Sequence, residues 1–457
     1  MTDFAQYLSE GKKGHLIGIG GVSMSPLAEV LCGMGLKIHG SDMNESEKIA
    51  HLRSLGIGIS LGHAAENLAP DTDFVVRTAA ARDDNPEIIA AAEKGIPVFE
   101  RTQAWGTIMR DYKNALCISG THGKTTTTSM ATHILMAARC DPTVMIGGTL
   151  PLLKASHRIG AGDTIIMESC EYFNSFHSFF PTIAVILNIE ADHLDFFKDL
   201  DDVKKSFRSF AELVPEDGCI IVNADDENST DAVKGLDREI ITFGMSASAD
   251  VRGANLVQHS AQTELDIMYK GRLYTRLTLC VPGMHNVMNA LAAAASAIRL
   301  GISGEAIAAG LLDFMGAGRR FEFKGKLGGA DIYDDYAHHP GELKALIDAV
   351  ETLDYKRNIV VFQPHTYTRT KALFNDFIQQ LSRPTICYLA EIYAAREQNT
   401  TGISSADLAK QIPNSRFFAS FEELEASVRG EARQGDIILT VGAGDIFRIG
   451  EHLAQEN

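Results

Sequence analysis

At 457 residues the chain exceeds one ordinary hydrophobic core and predicts two to four domains. Its composition, 45% hydrophobic and 22% charged, excludes a disordered chain, and its net charge of −17 argues against nucleic-acid or anionic-membrane partners. The seven scattered cysteines form no C-x-x-C pair, the stretch MTDFAQYLSEGKKG is no signal peptide, and no apolar run could span a bilayer, so a reducing, cytoplasmic setting is expected.

Residues 15–19 predict a strand running into Gly18-x-Gly20-Gly21. A helix over Ser25–Met34 and a strand over Lys37–His39 follow, the strand ending in Gly40-Ser41-Asp42. This is a βαβ beginning with an acidic residue after its second strand. Ser23 stands where a dinucleotide fingerprint expects Gly or Ala, so another nucleotide or phosphate group remains open beside NAD or flavin. Strands at Phe74–Val76 and Ile96–Phe99 flank a helix over Asn85–Lys94. The first domain is placed at 1–110.

The next stretch, LCISGTHGKTTTTS, carries the clearest chemistry. Ala115–Ile118 reads as a buried strand. Gly120, Gly123, Lys124 and Thr125 follow, then a helix with Met130, Ile134, Ala137 and Ala138 on one face. Glycines let backbone N–H groups approach phosphates, and a helix N-terminus adds partial positive charge. Lys124 would reach the terminal phosphates and the Thr125 hydroxyl would ligate Mg²⁺. The loop is shorter than G-x-x-x-x-G-K-[ST], because Ile118 stands at the first glycine position. An ordinary glycine turn is the alternative.

Further strands are expected at Thr164–Glu168, Ile183–Leu187 and Cys219–Asn223, making a mostly parallel sheet covered on both faces. Glu168 ends one strand. Asn188 ends another, followed at once by Glu190, Asp192, His193 and Asp195. A carboxylate and a histidine at strand ends could complete Mg²⁺ coordination, with a helix cap and a structural histidine as alternatives. Residues 250–281 look like a β-rich insertion. Asn286 and Asn289 open an alanine-rich helix over Ala290–Leu300 and share one face, able to read a base edge or bridge two strands. Arg319-Arg320, in a glycine-rich turn, is either solvated surface or an anion clamp.

The last domain, 321–457, reads as another doubly wound α/β unit. Strands are expected at Ile332–Tyr333, Asn358–Phe362, Thr385–Leu389 and Ile437–Thr440, with a helix over Glu342–Val350. Its strand-end loops concentrate His, Tyr, Asp and Arg. Low-complexity tracts are absent.

Three α/β domains carrying HLIGIGGVSMS, SGTHGKTTTTS, NIEADHLD, GMHNVMNALAA, GAGRRFE, DDYAHHPGE, FQPHTYTRT and VGAGDI resemble the Mur ligases of bacterial cell-wall synthesis over nearly the whole chain. The resemblance implies a Rossmann-like N-terminal domain (1–110) for a UDP-sugar, a central P-loop-type ATPase domain (111–320) and a C-terminal Rossmann-like domain (321–457) for an amino acid. It implies that the γ-phosphate of ATP passes to the lactyl carboxylate of UDP-N-acetylmuramic acid. The amine of L-alanine then displaces phosphate from the acyl phosphate.

By resemblance, Gly120, Thr121, His122, Gly123, Lys124, Thr125, Thr126, Asn286, Asn289, Arg320 and Asp335 bind ATP. Thr125, Glu168 and His193 hold Mg²⁺, and Lys124, Glu168, His193 and Arg320 are catalytic. Gly18, Gly20, Gly21, Ser23, Met24, Ser41, Asp42 and His63 take the UDP-sugar; Tyr336, His338 and Arg369 take the amino acid. The expected partners are these small molecules, with no nucleic acid and no membrane, and the chain is expected as a monomer or weak homodimer. Glu171 is left without a role, as is Thr366, where some relatives have Arg. Neither Lys204 nor Lys205 aligns with the carbamylated lysine that other members use. A family member that joins a whole murein tripeptide to the same sugar nucleotide, a nicotinamide-dependent oxidoreductase built on Gly18–Asp42, and a non-catalytic nucleotide-binding regulator are the alternatives.

Overall fold

The computed structural model describes all residues except Met1, Thr2, Asp195, Ser260, Ala261, Arg396, Glu456 and Asn457, so the expected role of Asp195 lies outside the described residues. Three sheets organise the chain. The first is all parallel and five-stranded, in the order Gly58–Leu61, Lys37–Asp42, Lys13–Ile17, Phe74–Arg77, Val98–Glu100. Gly40, Ser41 and Asp42 belong to the second strand instead of following it, because pairing continues through Ser41 on one side and through Asp42 on the other. Gly40 is required there: a Cβ would meet the Leu16 carbonyl oxygen at 2.4 Å.

The central sheet has ten strands. Its parallel middle comprises Glu239–Gly244, Cys219–Asn223, Ile183–Ile186, Asn114–Ser119, Thr164–Glu168 and Thr143–Leu150. Strands Cys219–Asn223 and Ile183–Ile186 are buried throughout, as expected where helices cover both faces. The region expected as an insertion forms three strands, Val251–His259, Gln262–Tyr269 and Arg272–Leu279, which extend this same sheet. The alanine-rich helix begins earlier than the apolar pattern indicates, at Met284, and runs to Arg299. It packs against Lys124–Ala137, whose Thr125–Leu135 are all buried.

The third sheet runs Glu322–Leu327, Ala330–Asp335, Asp436–Val441, Arg357–Phe362, Ile386–Leu389, Ser415–Phe417, parallel except at the first strand. A helix over Arg101–Met109 has no counterpart in the sequence reading. Thr102 and Ala104–Met109 are all buried, so it shows no amphipathic stripe. Its Gly106 lies against the central unit, where a Cβ would meet the Ser178 carbonyl oxygen at 1.9 Å. No helix among the described residues is long and apolar enough to cross a membrane.

Candidate functional site

The loop between Ser119 and Lys124 is shaped by two glycines. Gly120 has φ +144° and Gly123 has φ +84°, both costly for L side chains. A Cβ on Gly123 would also meet Asn289 Oδ1 at 2.4 Å. Asn188 holds the loop from the neighbouring strand end: its Oδ1 accepts from the His122 N–H (2.8 Å) and its Nδ2 donates to the His122 carbonyl (3.1 Å). Lys124 folds back, Nζ donating to the carbonyls of Gly120 and Thr121 and to Glu171 Oε2 at 3.0 Å. Burial would lower the lysine pKa, but Glu171 beside it raises it above the ordinary value. The Thr125 hydroxyl donates to Glu168 Oε1 (3.0 Å), and Glu168 Oε2 accepts from the Gly147 N–H (2.7 Å).

One cavity is lined by this loop, and a second reaches it through Glu168, the acceptor of the Thr125 hydroxyl. The first, of about 270 Å³, lies between the central and C-terminal units. His122, Gly123, Thr125, Thr126, Asn286, Asn289, Arg320 and Asp335 line it; Gly120, Thr121 and Lys124 do not. Leu187, Phe243, Val281, Phe314 and Leu346 give it an apolar wall suited to a flat ring. Asn289 accepts from the Thr127 hydroxyl (3.2 Å), and Asn286 Nδ2 donates to the Pro282 carbonyl (2.7 Å). Asp335 accepts backbone N–H bonds from Phe321 and Ala337, both at 2.8 Å.

Burial pushes the Asp335 carboxyl up to about 6, against the pull of Arg320. A raised folded-state pKa means the native state binds more protons between about 4 and 6, so stability from this group is lost as pH rises through that window. In Asp335→Asn the fall should vanish. The difference in Tm between variant and parent should move in favour of the variant between pH 4 and pH 7. Parallel Tm profiles would contradict it.

The second cavity, of about 310 Å³, lies between the first and central units and joins Gly21, Ser23 and Met24 to Glu168. Gly18, Gly20, Ser41, Asp42 and His63 are outside its wall. Asp42 Oδ2 accepts the Gly20 N–H at 2.9 Å, which holds the turn after the first strand. Ser41 is fully buried, donating to Glu87 (2.6 Å), while His63 Nδ1 lies 3.0 Å from the Ser41 hydroxyl. Arg101 lines the cavity and donates to the Ser23 hydroxyl (3.0 Å).

The adjacent arginines part company. Arg319 donates to Asp334 (2.9 Å) and to the carbonyls of Gly444 and Gly442. The Arg320 guanidinium makes no hydrogen bond or ion pair with the described residues and lies 4.9 Å over the Tyr336 ring, facing the first cavity. Tyr336, His338 and Arg369 form a continuous run through His365: ring centroids are 5.5 Å apart for Tyr336–His338 and 5.7 Å for His338–His365, and Arg369 lies 3.3 Å from His365 Nδ1. Burial pushes the His338 imidazole down to about 4. Arg369 reaches across to Asp192 (3.0 Å) on the central unit. A second crossing joins His122 Nδ1 to Glu342 Oε1 (3.3 Å). Burial works against charging His122, but Glu190 and Glu342 outweigh it and push the imidazole up to about 9.

His193, in a left-handed conformation (φ +53°), stacks on Tyr172 and puts Nε2 3.7 Å from Glu171. Glu171 therefore joins Lys124 to His193, a position that no local pattern signalled. Arg101 and Glu342 have no counterpart among the expected site residues, and Asn188, expected as a strand end, holds the loop without having been given a role. Lys204 is held by Asp231, and Lys205 lines a small depression with Asn174 and Ser206.

Family models cover the three units. A Mur ligase family catalytic domain matches residues 13–113, a Mur ligase middle domain 118–297, and a Mur ligase glutamate ligase domain 319–444. A curated UDP-N-acetylmuramate–L-alanine ligase of Clostridium novyi is 46% identical over 96% of both chains. Its counterpart from Lachnospira eligens is 45% identical over 96% of this chain and 97% of its own. The crystal structure of a UDP-N-acetylmuramate-alanine ligase from Thermotoga maritima superposes with a TM-score of 0.80 at 30% identity, covering 96% of this chain and 98% of that one. With the same three units and the phosphate loop set between them, the chain belongs to the Mur ligase family.

Proposed function

We propose that the chain joins L-alanine to the lactyl carboxylate of UDP-N-acetylmuramic acid with ATP, through an acyl phosphate. The observation that carries this reading is a phosphate loop that lines one cavity and meets a second through the Thr125–Glu168 hydrogen bond, in a chain similar over nearly its whole length to ligases of that name. Residues 1–110 would hold the UDP-sugar, 111–320 ATP, and 321–457 the amino acid.

ATP enters the cavity of Asn286, Asn289, Arg320 and Asp335, its phosphates running onto the Gly120–Thr126 loop. Thr125 and Glu168 offer hard oxygen donors 3.0 Å apart that suit Mg²⁺, with Glu171 beside Lys124 and His193 behind it. Bound there, Mg²⁺ would neutralise phosphate charge. Glu168 belongs to the second cavity's wall as well, which brings the carboxylate acceptor of the sugar to the phosphate that it attacks. Both reactants are anionic, so the protein's task is positioning and charge neutralisation, assigned here to Lys124 and Arg320. Tyr336, His338 and Arg369 present the amine from the C-terminal side.

The test is phosphate release from ATP with UDP-N-acetylmuramic acid, screened over L-alanine, glycine, L-serine and the murein tripeptide. Release with free L-alanine well above all others is expected. Release with the tripeptide alone would replace this reading by the peptide-joining one.

A further inference from the structure

His122, Glu190 and His339 come from three separate segments and place ligand atoms within 4.8 Å of one another. His122 lies in the phosphate loop, Glu190 follows the strand Ile183–Ile186, and His339 caps the helix Pro340–Glu351 of the C-terminal unit. Glu190 and His339 have no part in the ligation above. Opposite them stands Gly341. A Cβ there would meet Glu190 Oε2 at 3.1 Å, His339 Nδ1 at 3.3 Å and His122 Nε2 at 3.6 Å, so glycine leaves the space before all three donors open.

Two carboxylates hold His122 between them: Glu342 Oε1 lies 3.3 Å from Nδ1 and fixes the proton there, and Glu190 Oε2 lies 3.3 Å from Nε2, where an ion would displace the second proton and stand between imidazole and carboxylate. A carboxylate behind a ligating imidazole is the usual outer support of a metal-bound histidine. His339 Nδ1 is unprotonated, and its lone pair accepts the Gly341 N–H in a long bond of 3.2 Å that an ion would displace. The Glu190 side chain is 47% exposed, which gives an ion a way in and lets the carboxylate close on it.

We infer that His122, Glu190 and His339 form a three-ligand site for a divalent transition-metal ion of the zinc class, with water as fourth ligand. Two imidazoles and one carboxylate suit Zn²⁺ or Co²⁺, whereas Mg²⁺ prefers oxygen alone. The ion would tie the central unit to the C-terminal unit, since His122 and Glu190 come from the first and His339 from the second.

The test is Zn²⁺ titration of the full-length protein by calorimetry under excess Mg²⁺, with Co²⁺ absorption as a second reading. One Zn²⁺ per chain, a raised Tm and a four-coordinate Co²⁺ visible spectrum are expected. Glu190→Gln and His339→Gln should each weaken binding at least tenfold. Gly341→Ala should do the same while keeping every ligand, so a folding defect at His339 cannot mask the answer. Unchanged affinity in Glu190→Gln and Gly341→Ala would overturn the site. So would an intense thiolate-to-Co²⁺ band, which would place the ion on cysteine, or loss of Zn²⁺ to excess Mg²⁺, which would place it at Thr125 and Glu168.

Discussion

Lys124→Ala should lower phosphate release by two to three powers of ten or more, about 3–4 kcal/mol in the barrier, because a preorganised charge on the transferring phosphate is lost. The structure adds a second expectation. Nζ sits 3.0 Å from Glu171, whose side chain is only 3% exposed. Removing the lysine leaves a buried carboxylate without its main cation, a change that costs about 3–5 kcal/mol in buried pairs. The variant should therefore melt well below the parent. Lys124→Met combined with Glu171→Gln removes both charges together. It should recover much of the stability and none of the turnover. Thermal unfolding and single-turnover phosphate release separate the two effects. A double variant no more stable than Lys124→Ala would show that Glu171 is not what the lysine holds.

The second large effect divides Arg319 from Arg320. Arg319 binds Asp334, which is fully buried, and closes two carbonyls of the Gly442–Gly444 turn. Arg319→Ala should destabilise the C-terminal unit by about 3–5 kcal/mol through the orphaned aspartate. Arg320→Ala breaks no such contact and should leave Tm within a few degrees. Its loss should appear in catalysis, on the order of a hundredfold, from one missing charge on the phosphates. The measurement is Tm and kcat for both variants side by side. An Arg320→Ala protein with parental kcat would remove that residue from the site.

Much of the scaffold was legible in the chain alone. Thr164–Glu168 and Cys219–Asn223 were bounded correctly, because a buried parallel strand is a short apolar run ended by polar residues. The helix at Arg101–Met109 was not legible, since burial of Thr102 and of every residue from Ala104 to Met109 blurs the periodicity by which a helix is recognised. The strands of 250–281 were read as strands, but that they lengthen the central sheet is a matter of which edge they meet.

At the site the division is similar. That a glycine loop with Lys124 and Thr125 opens a helix is local information, carried by backbone conformations that few residues adopt. This loop, the strand ends around it and the residue types able to handle phosphate follow from the chain alone. Which of two adjacent arginines faces the cavity is set by the fold, since the two carbonyl partners of Arg319 lie 123 and 125 residues away. The fold likewise brought Glu171, 47 residues along the chain, to Lys124, and Arg369 to Asp192, 177 residues apart. The physical reason is that conformation is set by neighbours in the chain. The pairing of a charge is set by whatever the fold packs against it.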